Sequence, residues 1–450
     1  MNAPAHSPSG ARGGHGVDHS DHNPAIALIN PPSFCVDDDR LEPPLGLLYL
    51  AAALRQRGYG EIAFCDLSGS GSKEALPESL SKIPPAQVYG VTSLCTNHDH
   101  AKQVVAWIRR ESPAAYVVMG GPNSTALPGL TLAETGADAV VVGEGEDAFV
   151  RCVESCLAGS PIKGVVTGTP RQEIDSYPFP ARELAALPTY SRRLNGEPSI
   201  SLLSSRGCPN KCIFCNSVVM GGGAASIRFR SAENIAREIE TLRATCRNFR
   251  FNDDSFTANP QLPAMLERIA GLEIRFRIFA CVESLTPENC RALRRAGCIH
   301  VAVGLESLNP ENLRKIGKAR QIGKAHFVQT ARDAGLVVRA YFMVGLPEDT
   351  DSTIERFFSQ AAALGLDEFT VYPLIPYPGT EIARHPERFG YTILNSDFRE
   401  YVQIGVQSRT CFALRHRNFG PDDIARWLQT AREILQNGGA RQSRESVLAQ

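Results

Sequence analysis

The chain has 450 residues, of which 43% are hydrophobic and 21% charged, and its formal net charge is −1. That length predicts roughly two to three domains, with enough apolar residues for sizeable cores. A near-zero charge excludes the electrostatic footprint of a nucleic-acid or anionic-membrane binder. No apolar run reaches the ~20 residues of a membrane span, so neither nucleic acid nor membrane is expected as a partner. The first residues lack an apolar signal core, and residues 1–23, rich in Gly, Ser, His and Pro, read as a disordered tail. Its His6, His15, His19 and His22 are expected to be solvated rather than metal ligands. Thirteen cysteines in so long a chain do not form a secreted disulfide framework; a cytoplasmic, reducing setting is expected.

Residues 24–156 alternate apolar strands with helical stretches. Strands are predicted at 26–29, 62–66, 88–93, 116–119 and 139–142, and helical spacing at 47–57 and 102–110. The pattern predicts an α/β fold, a doubly wound (Rossmann-like) parallel sheet with helices on both faces. Ligands of such sheets lie beyond the carboxyl ends of the strands, where Gly120-Gly121-Pro122 and Gly143-Glu144-Gly145-Glu146 stand. Residues 157–196, with Tyr177-Pro178-Phe179-Pro180, read as an extended linker.

A second βα series over 197–385 counts to six strands, at 200–204, 249–252, 274–280, 300–303, 337–344 and 368–372. Six parallel strands with intervening helices suit a partial (β/α)6 barrel, whose site is built from the loops at the strands' carboxyl ends. Those loops carry the cysteines, Asn252-Asp253-Asp254, Glu283-Ser284, Gly304-Leu305-Glu306-Ser307, Gly345-Leu346-Pro347-Glu348 and Pro376-Tyr377-Pro378-Gly379. Residues 386–450 form a C-terminal helical region, strongly helical over 421–435 and frayed after Gly438.

The densest chemistry is Cys208-Pro-Asn-Lys-Cys212-Ile-Phe-Cys215, a C-x3-C-x2-C run. Three thiolates so spaced can hold three corners of a 4Fe-4S cubane and leave one iron open. The alternatives are a zinc knuckle or buried thiols. Zinc needs a nearby fourth ligand, yet the next cysteine is Cys246.

The cysteine run and the six-strand series resemble the radical S-adenosylmethionine (SAM) superfamily, in which SAM chelates the open iron. The resemblance implies SAM-binding roles for Phe214 near the adenine, for Asn252, Asp253 and Asp254 at the amino group, and for Glu306 and Ser307 near the ribose and methionyl part. The bland reading of each acid is a helix cap or first-turn charge. Arg339 interrupts an apolar strand. It either grips the SAM carboxylate or an anionic substrate, or pairs with a carboxylate in the barrel wall. Tyr377 is a further substrate candidate; for it, as for Tyr341 and Tyr372, core packing is the alternative.

The front segment resembles the cobalamin-binding domain that precedes many radical SAM proteins. Asn30-Pro31-Pro32, Pro44-Leu45-Gly46, Thr92-Ser93-Leu94, Gly120-Gly121 and the Gly143–Glu146 run carry the likeness. It implies cobalamin contacts at Thr92, Leu94, Cys95, Gly120, Gly121, Gly143 and Glu144. With Gly46 ending the D-x-H-x-x-G motif, Leu41 and Pro43 stand at the aspartate and histidine positions, so no protein histidine is expected below the cobalt. His98 is the alternative lower ligand, against a loop histidine in solvent. Two other readings of this half are a purely architectural domain and a second cluster on Cys35, Cys65 and Cys95.

Together these resemblances imply a cobalamin-dependent radical SAM methyltransferase with a 4Fe-4S cluster, SAM and cobalamin as cofactors. It would methylate an unactivated carbon of a small metabolite through a 5′-deoxyadenosyl radical and methylcobalamin, with a reductase or a flavodoxin or ferredoxin as electron donor. The alternatives are a radical SAM cyclase, ring-contraction or rearrangement enzyme, a methylthiotransferase, and a non-catalytic cobalamin or cluster sensor.

Overall fold

The computed structural model describes residues 26–221, 226–402 and 410–442; the tail expected over residues 1–23 lies outside them. The first half is a six-stranded sheet of β1 (Ile26–Asn30), β2 (Ile62–Asp66), β3 (Val88–Thr92), β4 (Tyr116–Gly120), β5 (Ala139–Val142) and β6 (Gly164–Thr167). All pairs are parallel and the order is β2-β1-β3-β4-β5-β6. Alternate residues of each strand face opposite sides. Ile26, Leu28, Val88 and Val118 pack under helices Leu45–Gln56 and Glu146–Leu157. Ala27, Ile29, Tyr89 and Val117 pack under helix His98–Glu111. Burial on both faces explains why these strands are continuous apolar runs. The strand order reverses between β1 and β3, so the ligand crevice of the sheet opens at their carboxyl ends.

The second half is a seven-stranded sheet, parallel throughout and not closed. From one edge it runs Ile200–Leu202, Asn248–Phe251, Arg275–Phe279, Cys298–Glu306, Val337–Val344, Glu368–Pro373 and Arg441–Gln442. Phe249, Phe251, Phe276, Ile278, Val301 and Phe342 turn outward to the helices and form the main core. The intervening positions Arg250, Arg277, His300, Arg339 and Glu368 turn inward.

Two boundaries differ from the sequence reading. β6 lies in the stretch expected to be linker, because the backbone of Val140–Val142 offers an open edge on which Val165–Thr167 pair. Residues 441–442, expected to fray, pair with Glu368 and Phe369. The remaining linker is docked rather than loose: Arg182 and Arg230 both pair with Glu238, and all three are buried.

Candidate active site

The cysteines lie on the loop between strand Ser205–Gly207 and helix Asn216–Met220. Gly207 has φ 92°, and a Cβ there would sit 2.2 Å from Ser226 O, so the loop requires glycine at its entrance. The Cys215 N–H donates to Cys212 O at 3.1 Å, coiling the loop so that the cysteines interact. Burial pushes the Cys208 thiol up to about 11 and Cys212 up to about 12, and raises Cys215. Three neutral thiols, Cys212 buried and Cys208 and Cys215 half-buried, suit a metal group that displaces their protons. Among the described residues no set of three or more His, Cys, Asp or Glu side chains converges on one ion. A cubane is a wider body than a single ion, held by thiols that need not meet at a point.

Around this loop the expected SAM residues divide. Asp254 stays beside the cysteines: its Oδ1 accepts from Ser217 Oγ at 2.6 Å, its charge acts on Cys208 and Cys215, and burial raises its carboxyl. Asp253 is diverted. It is 1% exposed, and its Oδ1 accepts from the Ser204 N–H, Ser204 Oγ and Ser205 Oγ at 2.8, 2.9 and 2.6 Å, tying the first strand to the second. Asn252 is diverted as well, donating to Glu42 Oε2 at 2.6 Å. Phe214 packs against the main core.

Glu306 ends its strand at a register shift with φ 58°, in the left-handed region that a non-glycine residue enters only under constraint. Lys318 supplies the constraint, donating from Nζ to Glu306 Oε1 and to Gly304 O, both at 2.8 Å. Ser307 accepts the Asn309 N–H at 3.1 Å, the local turn role of a serine. Two residues beside the cysteines were missed in the sequence. Lys318 draws down the Cys212 and Cys215 thiols, and Cys281, bonded to Ser255 Oγ at 2.8 Å, acts on Cys208. Neither belongs to a motif; only the return of distant loops to one mouth brings them there.

At the carboxyl edge of the first sheet, Gly121 has φ 92° and ψ −179°, and a Cβ on it would stand 2.6 Å from Thr92 Oγ1. Gly120 has open space where its Cβ would be, and Gly143 meets only Gly168 O at 3.6 Å. Bare backbone facing open space suits a flat corrin approaching this edge, and the buried Ser124 Oγ beside it has no partner. Leu94 donates its N–H to Asn97 Oδ1 at 2.7 Å, shaping the loop after β3. The Cys95 thiol, pushed up to about 12 by burial, contacts Asn123 Oδ1 at 3.6 Å.

Two expectations are corrected here, at His98 and Glu144, and the readings left open for Arg339 and for Cys35, Cys65 and Cys95 are separated. His98 is neither in solvent nor free for cobalt. It is fully buried, its Nδ1 accepts from Asn123 Nδ2 at 3.0 Å beside Ser93 Oγ at 3.1 Å, and its Nε2 donates to Glu134 at 3.2 Å. Glu144 is taken up by Arg206, Arg228 and the Tyr177 hydroxyl, so its carboxylate is a clamp rather than a cofactor contact. Arg339 pairs with Glu368 near the amino ends of the strands, donating from Nε at 2.7 Å, away from the loops. Of its two readings, the wall salt bridge is the one observed. Of the alternative second-cluster set Cys35, Cys65 and Cys95, Cys35 Sγ bonds Thr96 O at 3.2 Å and Cys65 packs in the sheet, which diverts both from a shared group. Tyr377 packs with Tyr401, Cys95 and Leu127 in a small core between the halves.

The two halves are held face to face. Arg206, two residues before Cys208, reaches Glu146 at 2.5 Å and Glu144 at 3.3 Å across the gap. A Cβ on Gly379 would lie 2.9 Å from Val219 and 3.2 Å from Ala126, so the helix after the cysteines, the helix after Gly120-Gly121 and the last barrel loop meet at one point. Arg399 adds ion pairs to Asp99 at 2.9 Å and to Glu134 at 2.5 Å.

The Radical SAM superfamily model matches residues 202–361, and the B12 binding domain model matches residues 39–153. An uncharacterised methyltransferase of Pyrococcus horikoshii is 28% identical over 413 residues, covering 86% of each chain. The anaerobic magnesium-protoporphyrin IX monomethyl ester cyclase of Rubrivivax gelatinosus is 24% identical, covering 80% of this chain and 68% of its own. The radical SAM methyltransferase TsrM of Kitasatospora setae, solved with cobalamin and a 4Fe-4S cluster, superposes with a TM-score of 0.69 at 17% identity. It covers 94% of this chain and 93% of its own, and so shares the fold. With both domain models matched in this order around one mouth, the chain belongs to the cobalamin-binding radical SAM family.

Proposed function

We propose that the protein is a cobalamin-dependent radical SAM methyltransferase acting on an unactivated carbon of a small metabolite. The observation that carries this reading is the clamp that holds the cysteine loop against the Gly120-Gly121 edge, through Arg206 and the contact of Val219, Ala126 and Gly379. A substrate in the barrel mouth would then lie between the two cofactors. Cys208, Cys212 and Cys215 would hold the cluster, and the backbone around Gly120, Gly121 and Gly143 would receive the corrin. When bound, the cluster supplies the electron that cleaves SAM and the cobalamin supplies the methyl group.

The chain's own groups orient and seal. Asp254, a carboxylate in the cleft beside the cysteines, suits a charge-assisted bond from the SAM ammonium. Lys318 fixes the Glu306 turn and keeps its carboxylate directed at the mouth. The core of Tyr377, Tyr401 and Phe398 closes the gap between the halves against water. With Pro43 at the motif's histidine position and His98 fully engaged, the lower face of the cobalt would receive no protein imidazole. The electron donor would be a flavodoxin, ferredoxin or reductase, which matches a chain whose thirteen cysteines are all unpaired, as in a reducing compartment. No described helix is long and apolar enough to cross a membrane.

Anaerobic protein reconstituted with iron, sulfide and cobalamin, and given SAM, a low-potential reductant such as dithionite with methyl viologen, and a panel of candidate metabolites, tests the reading. It should consume two SAM per methylated product, releasing one 5′-deoxyadenosine and one S-adenosylhomocysteine. Product with no mass gain would favour ring closure, the reading that the cyclase relative supports.

A further inference from the structure

The barrel interior holds a cation that its own carboxylates do not neutralise. Arg339 is paired with Glu368, and Arg250 lies 3.8 Å from Glu42. Arg277, 3% exposed, has no such partner among the described residues: its Nη2 donates to the Tyr341 hydroxyl at 2.9 Å, and its Nε has no partner. A guanidinium remains ionised throughout the accessible pH range, and burying it without a counter-ion is strongly unfavourable. An arrangement of this kind persists in a protein when a ligand supplies the missing charge.

The surroundings indicate what kind of ligand. Thr370, paired with Tyr341 across the strands, is fully buried with its Oγ1 unsatisfied. The Tyr341 oxygen accepts from Arg277, so its own proton is free to donate. Around these donors is an aromatic wall: the rings of Tyr341 and Tyr372 stack 6.1 Å apart at 11°, and Phe279 lies 6.0 Å from Tyr341. These rings and Ala302 form a cluster separate from the core outside the sheet. Phe279 ends its strand, and the Arg277 guanidinium lies over its ring, 4.6 Å from the centroid. Donors and aromatic rings therefore form one lining on the inward face of the sheet.

We infer that this interior is an anion subsite for the substrate, in which Arg277, with the Tyr341 and Thr370 hydroxyls, receives a carboxylate whose flat apolar body lies along Tyr341, Tyr372 and Phe279. One guanidinium matches the single charge of a carboxylate; a phosphate monoester would leave a charge unbalanced. This rests on the barrel being the reaction chamber, and it adds the substrate's class and the residue that selects it. Ordered water is the competing occupant.

The test uses the anaerobic holoenzyme loaded with cluster, cobalamin and SAM. It is titrated calorimetrically with a graded panel of aryl-alkanoates, indole-3-propionate among them, each beside its neutral amide. At least one acid should bind at least tenfold more tightly than its amide. Arg277→Gln should abolish that preference, and Arg277→Lys should retain part of it. Cluster absorbance and cobalamin content show whether each variant has folded; where Arg277→Gln does not load, Arg277→Lys and the native acid-to-amide ratio decide. Equal affinity of every acid and its amide, binding of no acid at all, or an unchanged preference in a loaded Arg277→Gln protein overturns the inference. Release of 5′-deoxyadenosine by the dithionite-reduced holoenzyme without a probe scores the radical SAM chemistry of the barrel separately, so either can fail alone.

Discussion

Gly121→Ala isolates the geometry on which the cobalamin edge depends. Gly121 stands at φ 92° and ψ −179°, a region open in practice only to glycine. Forcing alanine into it costs about 1–3 kcal/mol. The new methyl would also lie 2.6 Å from Thr92 Oγ1, 2.9 Å from Ser93 O and 3.0 Å from Ser93 N. The hydroxyl can rotate away, but the Ser93 backbone is fixed by its N–H to Gly120 O at 2.8 Å and by accepting the Asn123 N–H at 3.0 Å. Overpacking against such a wall costs a further ~1–3 kcal/mol. The sum, about 4 kcal/mol, should lower the melting of the first half by roughly 10 °C and abolish stoichiometric cobalamin binding. Thr92→Ala in the same protein removes only the hydroxyl contact and should recover about 1 kcal/mol. Circular dichroism melting and equilibrium dialysis with hydroxocobalamin measure both effects. A Gly121→Ala protein that melts within a degree or two of the native one and binds cobalamin equally would refute the reasoning.

Arg206→Met should destabilise the contact between the halves by about 3 kcal/mol, because buried Glu146 loses its cation while Glu144 keeps Arg228; urea titration checks it. Burial pushes the Asp349 carboxyl up from 3.8 to about 7, against bonds from Asn312, Gly345 N and Leu346 N. The folded state then holds a proton that the unfolded chain has released, so this contribution weakens as pH rises from about 4 to about 7 and is constant above. Native protein should lose about 3 kcal/mol between pH 5 and pH 8 relative to Asp349→Asn, measured by urea unfolding at the two pH values. Cobalamin bound as cob(II)alamin should show no nitrogen superhyperfine splitting by electron paramagnetic resonance, since both His98 nitrogens are engaged. Its appearance would mean that the loop after β3 rearranges on binding.

Both sheets were legible because their signal is local. Ile26–Ile29 and Val88–Val91 are buried on both faces and read as unbroken apolar runs. In the second half, the alternation of Phe249, Arg250 and Phe251 and of Phe276, Arg277 and Ile278 marks strands whose two faces meet different surroundings. Arg339 looked anomalous only while its strand was read as apolar on both sides. β6 was missed because Gly164–Thr167 is a short edge strand with exposed Val165, carrying too little pattern to outweigh the prolines that follow.

Site residues were legible in proportion to how little they depend on partners. Cys208, Cys212 and Cys215 declare their chemistry by spacing alone, and Gly121 declares a backbone need that no side chain can meet. Asn252, Asp253 and Asp254 are indistinguishable in sequence. In the fold Asn252 turns to Glu42 in the other half, Asp253 to Ser204 and Ser205, and Asp254 stays at the cysteines. The order of the two βα units, the cysteine loop and the glycine edge are therefore readable without coordinates, because each is encoded by neighbours along the chain. It took the packing of distant strands to select which acids face the mouth, to lock His98 between Asn123 and Glu134, and to leave Arg277 with no carboxylate partner among the described residues. A side chain's charge is fixed by its residue type, but its partner is whatever the packing of distant strands brings within about 3 Å.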